Sequence, residues 1–376
     1  MPVVYFDNAA STKVDPRVLD AMLPFFCENY SNPSAPHGLA QEAKYAVEMA
    51  REQVATLLGA DDPSEVVFTS CATEANNTVL GSFCGRLLHS AIEHPSVRSV
   101  AEATDRSEAI PVDQEGTIRE DAYAEALART KPGLVSIMSV NNEIGSIQDI
   151  DRLGQMAHDA GALFHSDITQ GVGKTELNLA ARPIDYATLS GHKFHSPKGI
   201  GVLWSRGGVP LKPFMCGGTH ESLRRAGTHN VPLIVGLGAA AEIISNEGVG
   251  ESERMRKLRA KLVHGITSKV KDVKVNGQPN GAPHIASFSF YRTEGEAILI
   301  NLDARGVCCT AGSACSSGRG LGSPILNAIG LEQDWLRGTV RLSLSRFTTE
   351  DEVDYVVESL IAAVEDVRSL AGYANV

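Results

Sequence analysis

The 376-residue sequence has no extended basic run, no Cys-x-x-Cys pair, no low-complexity segment and no internal repeat. Each absence removes a class of function. With 34 Lys and Arg against 45 Asp and Glu, the formal net charge is -11, which argues against a nucleic-acid scaffold because phosphate binding calls for a basic face. The N-terminus, Met1 to Asp7, lacks the charged region and apolar core of a secretory signal. The longest apolar stretch, near Val231 to Ile244, is shorter than the roughly 20 residues that span a bilayer, so neither a membrane nor a nucleic-acid partner is expected and a cytoplasmic location is. The seven cysteines, at 27, 71, 84, 216, 308, 309 and 315, form an odd set, which points away from a disulfide scaffold. Adjacent Cys308 and Cys309 point in different directions in an extended chain, and no metal site is expected from them with Cys315.

What is present is an ordinary globular composition, 43% hydrophobic and 21% charged, in a chain long enough for one large domain and a smaller one. Apolar runs alternate with amphipathic segments, the pattern of an α/β fold whose mostly parallel sheet is flanked by helices. The expected strands are 66–69, 88–92, 134–140, 163–166, 186–190 and 200–204. The expected helices are 38–58, 73–83 and 151–160, the last ending at Gly161 as a helix C-cap does. Near residue 250 the character changes: Met255, Leu258, Leu262 and Ile266 share one helical face within 251–269. Residues 16–250 are therefore expected to form the large domain, and 1–15 with 251–376 a smaller α+β domain. The latter has strands at 285–290 and 340–345, helices at 294–305 and 350–370, and a Gly/Ser-rich loop at about 310–322.

The chemistry-bearing residues follow strand ends, where open α/β sheets bind ligands. Lys193 ends Ser190-Gly191-His192-Lys193, and Asp167 follows the run Leu163 to Ser166. An amine to form a Schiff base and a carboxylate to hold a ring nitrogen protonated are what pyridoxal phosphate requires. Thr69-Ser70-Cys71-Ala72-Thr73-Glu74 joins a strand to a helix, and its amides and hydroxyls suit a phosphate; Thr73 alone would equally serve as an N-cap. His94 suits a group stacked on a planar ring, and Asn142 and Gln170 offer amides to a phenolic oxygen. In Gly312-Ser313-Ala314-Cys315-Ser316-Ser317-Gly318-Arg319-Gly320, small residues make a mobile loop with an exposed thiol, and such thiols are avoided unless used.

Asp7-Asn8-Ala9-Ala10-Ser11-Thr12, Thr69 to Glu74, Asn141 to Gly145, Ser190 to Lys193 with Pro197 to Gly201, and Gly312 to Cys315 occur in one order along the chain. Together they resemble the cysteine desulfurases of the NifS/IscS type, in the class V aminotransferase group of fold-type I pyridoxal phosphate enzymes. The resemblance runs nearly end to end. It implies that Lys193 carries the cofactor as a Schiff base, Asp167 pairs with the pyridine nitrogen, His94 stacks on the ring, and Asn142 and Gln170 bond its phenolic oxygen. Ala72, Thr73, Ser190 and His192 would hold the phosphate, and Thr228 would reach the phosphate of a partner subunit in a homodimer. Arg341 would bind the carboxylate of the substrate L-cysteine, with Asn32 beside it among the substrate-binding residues. Cys315 would take the sulfur as a persulfide and pass it to acceptor proteins such as an iron-sulfur scaffold. The long small-residue loop resembles the group that hands sulfur to separate acceptors, while the end at Val376 comes without the longer tail of some relatives. A selenocysteine lyase or another class V aminotransferase is the alternative, and the thiol argues against an aminotransferase.

Overall fold

The computed structural model describes residues 3–311 and 322–370. Cys315, with the rest of 312–321, lies outside the described residues. Near the start, Val4–Tyr5 (β1) forms a short strand. Seven strands then build one sheet: Val66–Thr69 (β2), Leu87–Ser90 (β3), Ser107–Ile110 (β4), Leu134–Ser136 (β5), Leu163–Asp167 (β6), Tyr186–Ser190 (β7) and Gly201–Ser205 (β8). Their order is β2-β8-β7-β6-β5-β3-β4. Only β8 runs antiparallel to its neighbours; the remaining pairs are parallel. Every residue of β2, β3, β5, β7 and β8 is buried, as befits a sheet covered by helices on both faces.

Val273–Asn276 (β9) and Ile285–Phe290 (β10) follow, and Val307–Cys308 (β11) pairs in parallel with β1. Thr339–Ser343 (β12) completes an antiparallel sheet of order β12-β10-β9. A second apolar cluster lies against this sheet, drawing Val4 and Phe6 from the N-terminus and Val353, Val356 and Leu360 from the last helix, Glu350–Leu370.

Strands β2, β7 and β10 and helices Gly38–Leu58 and Glu350–Leu370 have the bounds expected from sequence. Most others shift by one or two residues. The expected strand 134–140 is assigned only to Ser136, yet the amides of Ile137 and Ser139 still donate to His165 and Asp167 carbonyls at 3.0 Å, so the chain stays extended alongside β6. Helix Ile150–Asp159 ends as expected at Gly161, whose φ of 78° a side chain would strain.

The boundary near residue 250 falls inside a single 37-residue helix, Val231–Thr267. Its first half packs Val231, Ile234, Leu237 and Ala241 into the large cluster, and Met255, Leu258, Leu262 and Ile266 enter the second. The stretch read as too short to span a bilayer belongs to this helix, which is long and apolar enough to do so, yet its apolar side lies within the core. Ile325, Leu326, Ile329 and Leu336 also join the large cluster, although the sequence reading groups them with the smaller domain.

Candidate active site

The parallel strands deliver their C-terminal ends to one edge of the sheet, and a cavity of about 340 Å³ opens there. It is of the size that small-molecule sites occupy. Ala72, Thr73, His94, Asn142, Asp167, Gln170, Ser190, His192, Lys193 and Arg341 all line it, so ten of the residues singled out in the sequence converge on one space. Thr228 and Asn32 do not reach it. Thr228 is exposed on the segment before the long helix, and Asn32 sits on an exposed turn where its Oδ1 accepts from the Ser34 amide at 3.0 Å.

Lys193 ends the single 3-10 turn Gly191–Lys193 that follows β7. Its Nζ donates to the carbonyls of Ala9 and Ala10 at 2.7 and 2.8 Å. Burial pulls the amine down to about 8, and the Arg341 guanidinium adds to the effect, so the neutral form is far more populated near neutral pH than in an ordinary lysine. Asp167 is the last residue of β6. Its Oδ2 accepts from Asn76 Nδ2 at 2.9 Å and its Oδ1 from the Thr169 amide at 3.0 Å.

His94 caps helix Pro95–Glu102, with Nδ1 accepting from the Ser96 amide at 3.1 Å and lying 2.8 Å from Ser96 Oγ. Since Nδ1 accepts, the neutral ring carries its proton on Nε2. Burial lowers its pKa, so the neutral ring is the form present. Asn76, missed in the sequence, is the joint of this half of the site: its Nδ2 donates to both Asp167 and Ser96, and its Oδ1 accepts from Thr188 Oγ1. It is fully buried on helix Ala72–Ser82, which the sequence alone does not reveal.

Helix Ala72–Ser82 begins beside the cavity with no side-chain cap from Cys71, which leaves its first amides available to an anion. Glu74, in that first turn, is turned away: it accepts from the Ser70 amide at 2.8 Å and from Arg225 Nε at 2.8 Å. Gly201 allows β8 to lie against this turn, because a Cβ there would meet Cys71 C and Cα at 2.7 Å. His192 is driven down to about 4 by burial and by Lys193 and Lys198, and so is a neutral hydrogen-bonding group.

Asn141 and Asn142 divide their work. The Asn141 side chain is spent inward, on the Ile92 carbonyl and the Glu143 and Ile144 amides. Asn142 lines the cavity and its buried Oδ1 has no partner. Gln170 holds Ala9 O through Nε2 at 2.9 Å, while His284 Nε2 lies 2.9 Å from its Oε1. Arg341, from β12, closes the far wall, with Nη1 donating to Asn142 O and Nη2 to Asp7 Oδ1, both at 2.8 Å.

A buried amine, a carboxylate held by an amide, a neutral imidazole, an uncapped helix start and an unpartnered Asn142 Oδ1 together fit pyridoxal phosphate: Schiff-base partner, ring-nitrogen partner, stacking ring, phosphate cradle and free polar atom.

The chain matches the aminotransferase class-V family over residues 4–356. It is 41% identical to cysteine desulfurase 2 of Trichormus variabilis, covering 100% of this chain and 96% of that protein. It is 39% identical to cysteine desulfurase NifS of Azotobacter vinelandii, over 99% and 95%. Among solved structures, a NifS-like protein from Rickettsia africae superposes with a TM-score of 0.90 at 30% identity, covering 98% of this chain and 100% of that one. SspA in complex with cysteine does so with a TM-score of 0.81 at 32% identity, over 92% and 100%.

Proposed function

The chain belongs to the aminotransferase class-V family, and from that premise we propose that it is a cysteine desulfurase that uses pyridoxal phosphate to convert L-cysteine to L-alanine. The observation that carries the reading is the convergence of Lys193, Asp167, His94 and Arg341 on one cavity in a chain so close to named desulfurases.

In this assignment Lys193 binds the cofactor, Asp167 faces its ring nitrogen, and His94 lies against the ring. Asn142 and Gln170 face its phenolic oxygen, and Ala72, Thr73, Ser190 and His192 take the phosphate. The bound cofactor supplies an electron sink that loosens bonds at the substrate's α-carbon. The rest is the work of the chain. Arg341 holds the substrate carboxylate through its planar fork. The Lys193 amine, lowered by burial, takes the proton from Cα. The Cys315 thiolate attacks the substrate sulfur: an S–S bond forms, the C–S bond breaks, and carbon keeps the bonding pair and is protonated. The sum is cysteine plus an enzyme thiol giving alanine plus an enzyme persulfide. The persulfide then passes to acceptor proteins for iron-sulfur clusters or other sulfur-containing cofactors.

Two observations support a homodimer. Thr228 is exposed and away from its own cavity, the place of a residue that serves a neighbour. Phe25, Tyr45, Met49 and Val235 line an open apolar groove, with Tyr45 68% exposed, a surface that a second copy would cover. The smaller lobe, 1–15 with 251–376, would carry the sulfur-accepting loop, and a cytoplasmic location suits the burial of the long apolar helix within the core.

The test is alanine and sulfide release from L-cysteine in the presence of a reductant. Lys193→Ala should lose the cofactor's visible absorbance and at least about a thousandfold in alanine formation. Cys315→Ser should still shift that absorbance with cysteine but form no persulfide, as read by mass spectrometry. Full turnover by either variant would end the assignment.

A further inference from the structure

The motif Asp7-Asn8-Ala9-Ala10 is tied into the site twice, and the assigned chemistry uses neither tie. The backbone carbonyls of Ala9 and Ala10 accept from Lys193 Nζ. The Asp7 carboxylate accepts from Arg341 Nη2 at 2.8 Å, in a pair whose side chains are 23% and 7% exposed. Among the described residues the Asp7 side chain accepts no other hydrogen bond, and Arg341 Nε is buried with no partner. The two groups are mounted on one frame. Asp7 is bridged in parallel to Ser343, the Ser343 amide donates to Phe6 O at 2.7 Å, and the Arg341 amide donates to Thr310 O at 2.7 Å.

A nearly buried guanidinium needs a counter-charge, and a carboxylate is the ligand that its fork fits. Asp7 offers that group from within the chain, where an amino acid would offer its own. We propose that Asp7 is a resident carboxylate that occupies the Nη2 arm of the Arg341 fork between turnovers, while Nη1 rests on the Asn142 carbonyl, and yields it to the carboxylate of the incoming amino acid. The proposal rests on the assignment of Arg341 to the substrate carboxylate. The exchange replaces one carboxylate–guanidinium contact with another, so the guanidinium is never left bare, and apparent affinity is lowered by the fraction of time that Asp7 holds the fork. A ligand lacking a carboxylate does not displace Asp7. Asp7 is thus a positioning residue that acts through Arg341 and lowers the site's affinity for α-amino acids while leaving that for simple amines unchanged.

Asp7→Asn keeps the shape and removes the charge; Asp7→Glu restores the charge. With the cofactor-loaded protein, binding of L-alanine and of ethylamine, which lacks only the carboxylate, is followed by calorimetry and absorbance. Asp7→Asn should tighten L-alanine by about tenfold, equivalent to roughly 1.4 kcal/mol, with no tightening of ethylamine. Its KM for L-cysteine should fall with kcat little changed, and Asp7→Glu should lie near the unaltered protein. Unchanged or weaker L-alanine binding, or equal shifts for both ligands, overturns the proposal. Alanine production from cysteine by the unaltered protein checks the activity separately, so a protein that turns over cysteine but gives the wrong Asp7→Asn result sinks only the exchange.

Discussion

The neutral amine of Lys193 is the species that attacks an aldehyde, and burial sets how much of it exists. Because the folded pKa lies near 8, below the ordinary lysine value, the neutral fraction grows as pH rises and is half-complete at about 8. Cofactor uptake by the apoprotein, followed by absorbance in a stopped-flow instrument, should accelerate from pH 7 to 9 and then level. Acceleration that continues past about pH 10 would mean an unperturbed lysine there. Lys193, Asp167 and His94 are legible in the sequence because each lies at or within four residues of a strand's C-terminal end. Asn76 is not, since a helical asparagine usually faces solvent and only the packed fold shows that it joins Asp167 to Ser96. Glu93 is equally hidden: fully buried, it is raised well above the usual carboxylate range by desolvation while its Oε1 accepts from the Met138 amide at 2.6 Å. Asp7 was visible only as part of a motif, because its partner lies 334 positions away.

At the scale of elements, the sequence shows most clearly those strands and helices with an uninterrupted apolar pattern. Strand β4 lacks one: of Ser107, Glu108, Ala109 and Ile110 only the last is buried, as expected of a strand at the sheet's edge. Only the second half of the long helix Val231–Thr267 is legible as a helix, because its middle, 245–253, is mostly polar and loses the 3.6-residue period while the backbone continues. Where β8 meets the turn before helix Ala72–Ser82, the contact is backbone against backbone and has no slack. Gly201→Ala should cost about 1–3 kcal/mol by urea unfolding and weaken cofactor binding, since the displaced turn is the proposed phosphate cradle. A variant with unaltered stability and cofactor affinity would show that this turn is not fixed by β8.

For the whole molecule, the proposed dimer makes a measurable claim. Placing a carboxylate in the apolar groove, as in Tyr45→Glu with Met49→Glu, should convert a dimer to monomers in sedimentation at micromolar concentration. Such monomers should bind the cofactor more weakly, because Thr228 would no longer serve the neighbouring site. A variant that stays dimeric would remove the groove from the interface. The second apolar cluster and the sheet on which it lies were legible from the periodicity of 251–269 and the runs at 285–290 and 350–370. The seam between the two clusters runs along a helix and not through a linker. That helix acts as a splint: one unbroken hydrogen-bonded rod is embedded in both clusters, so neither can swing about residue 250 without bending it. Arg341 and Lys193, carried by different clusters, are thereby kept at a fixed span.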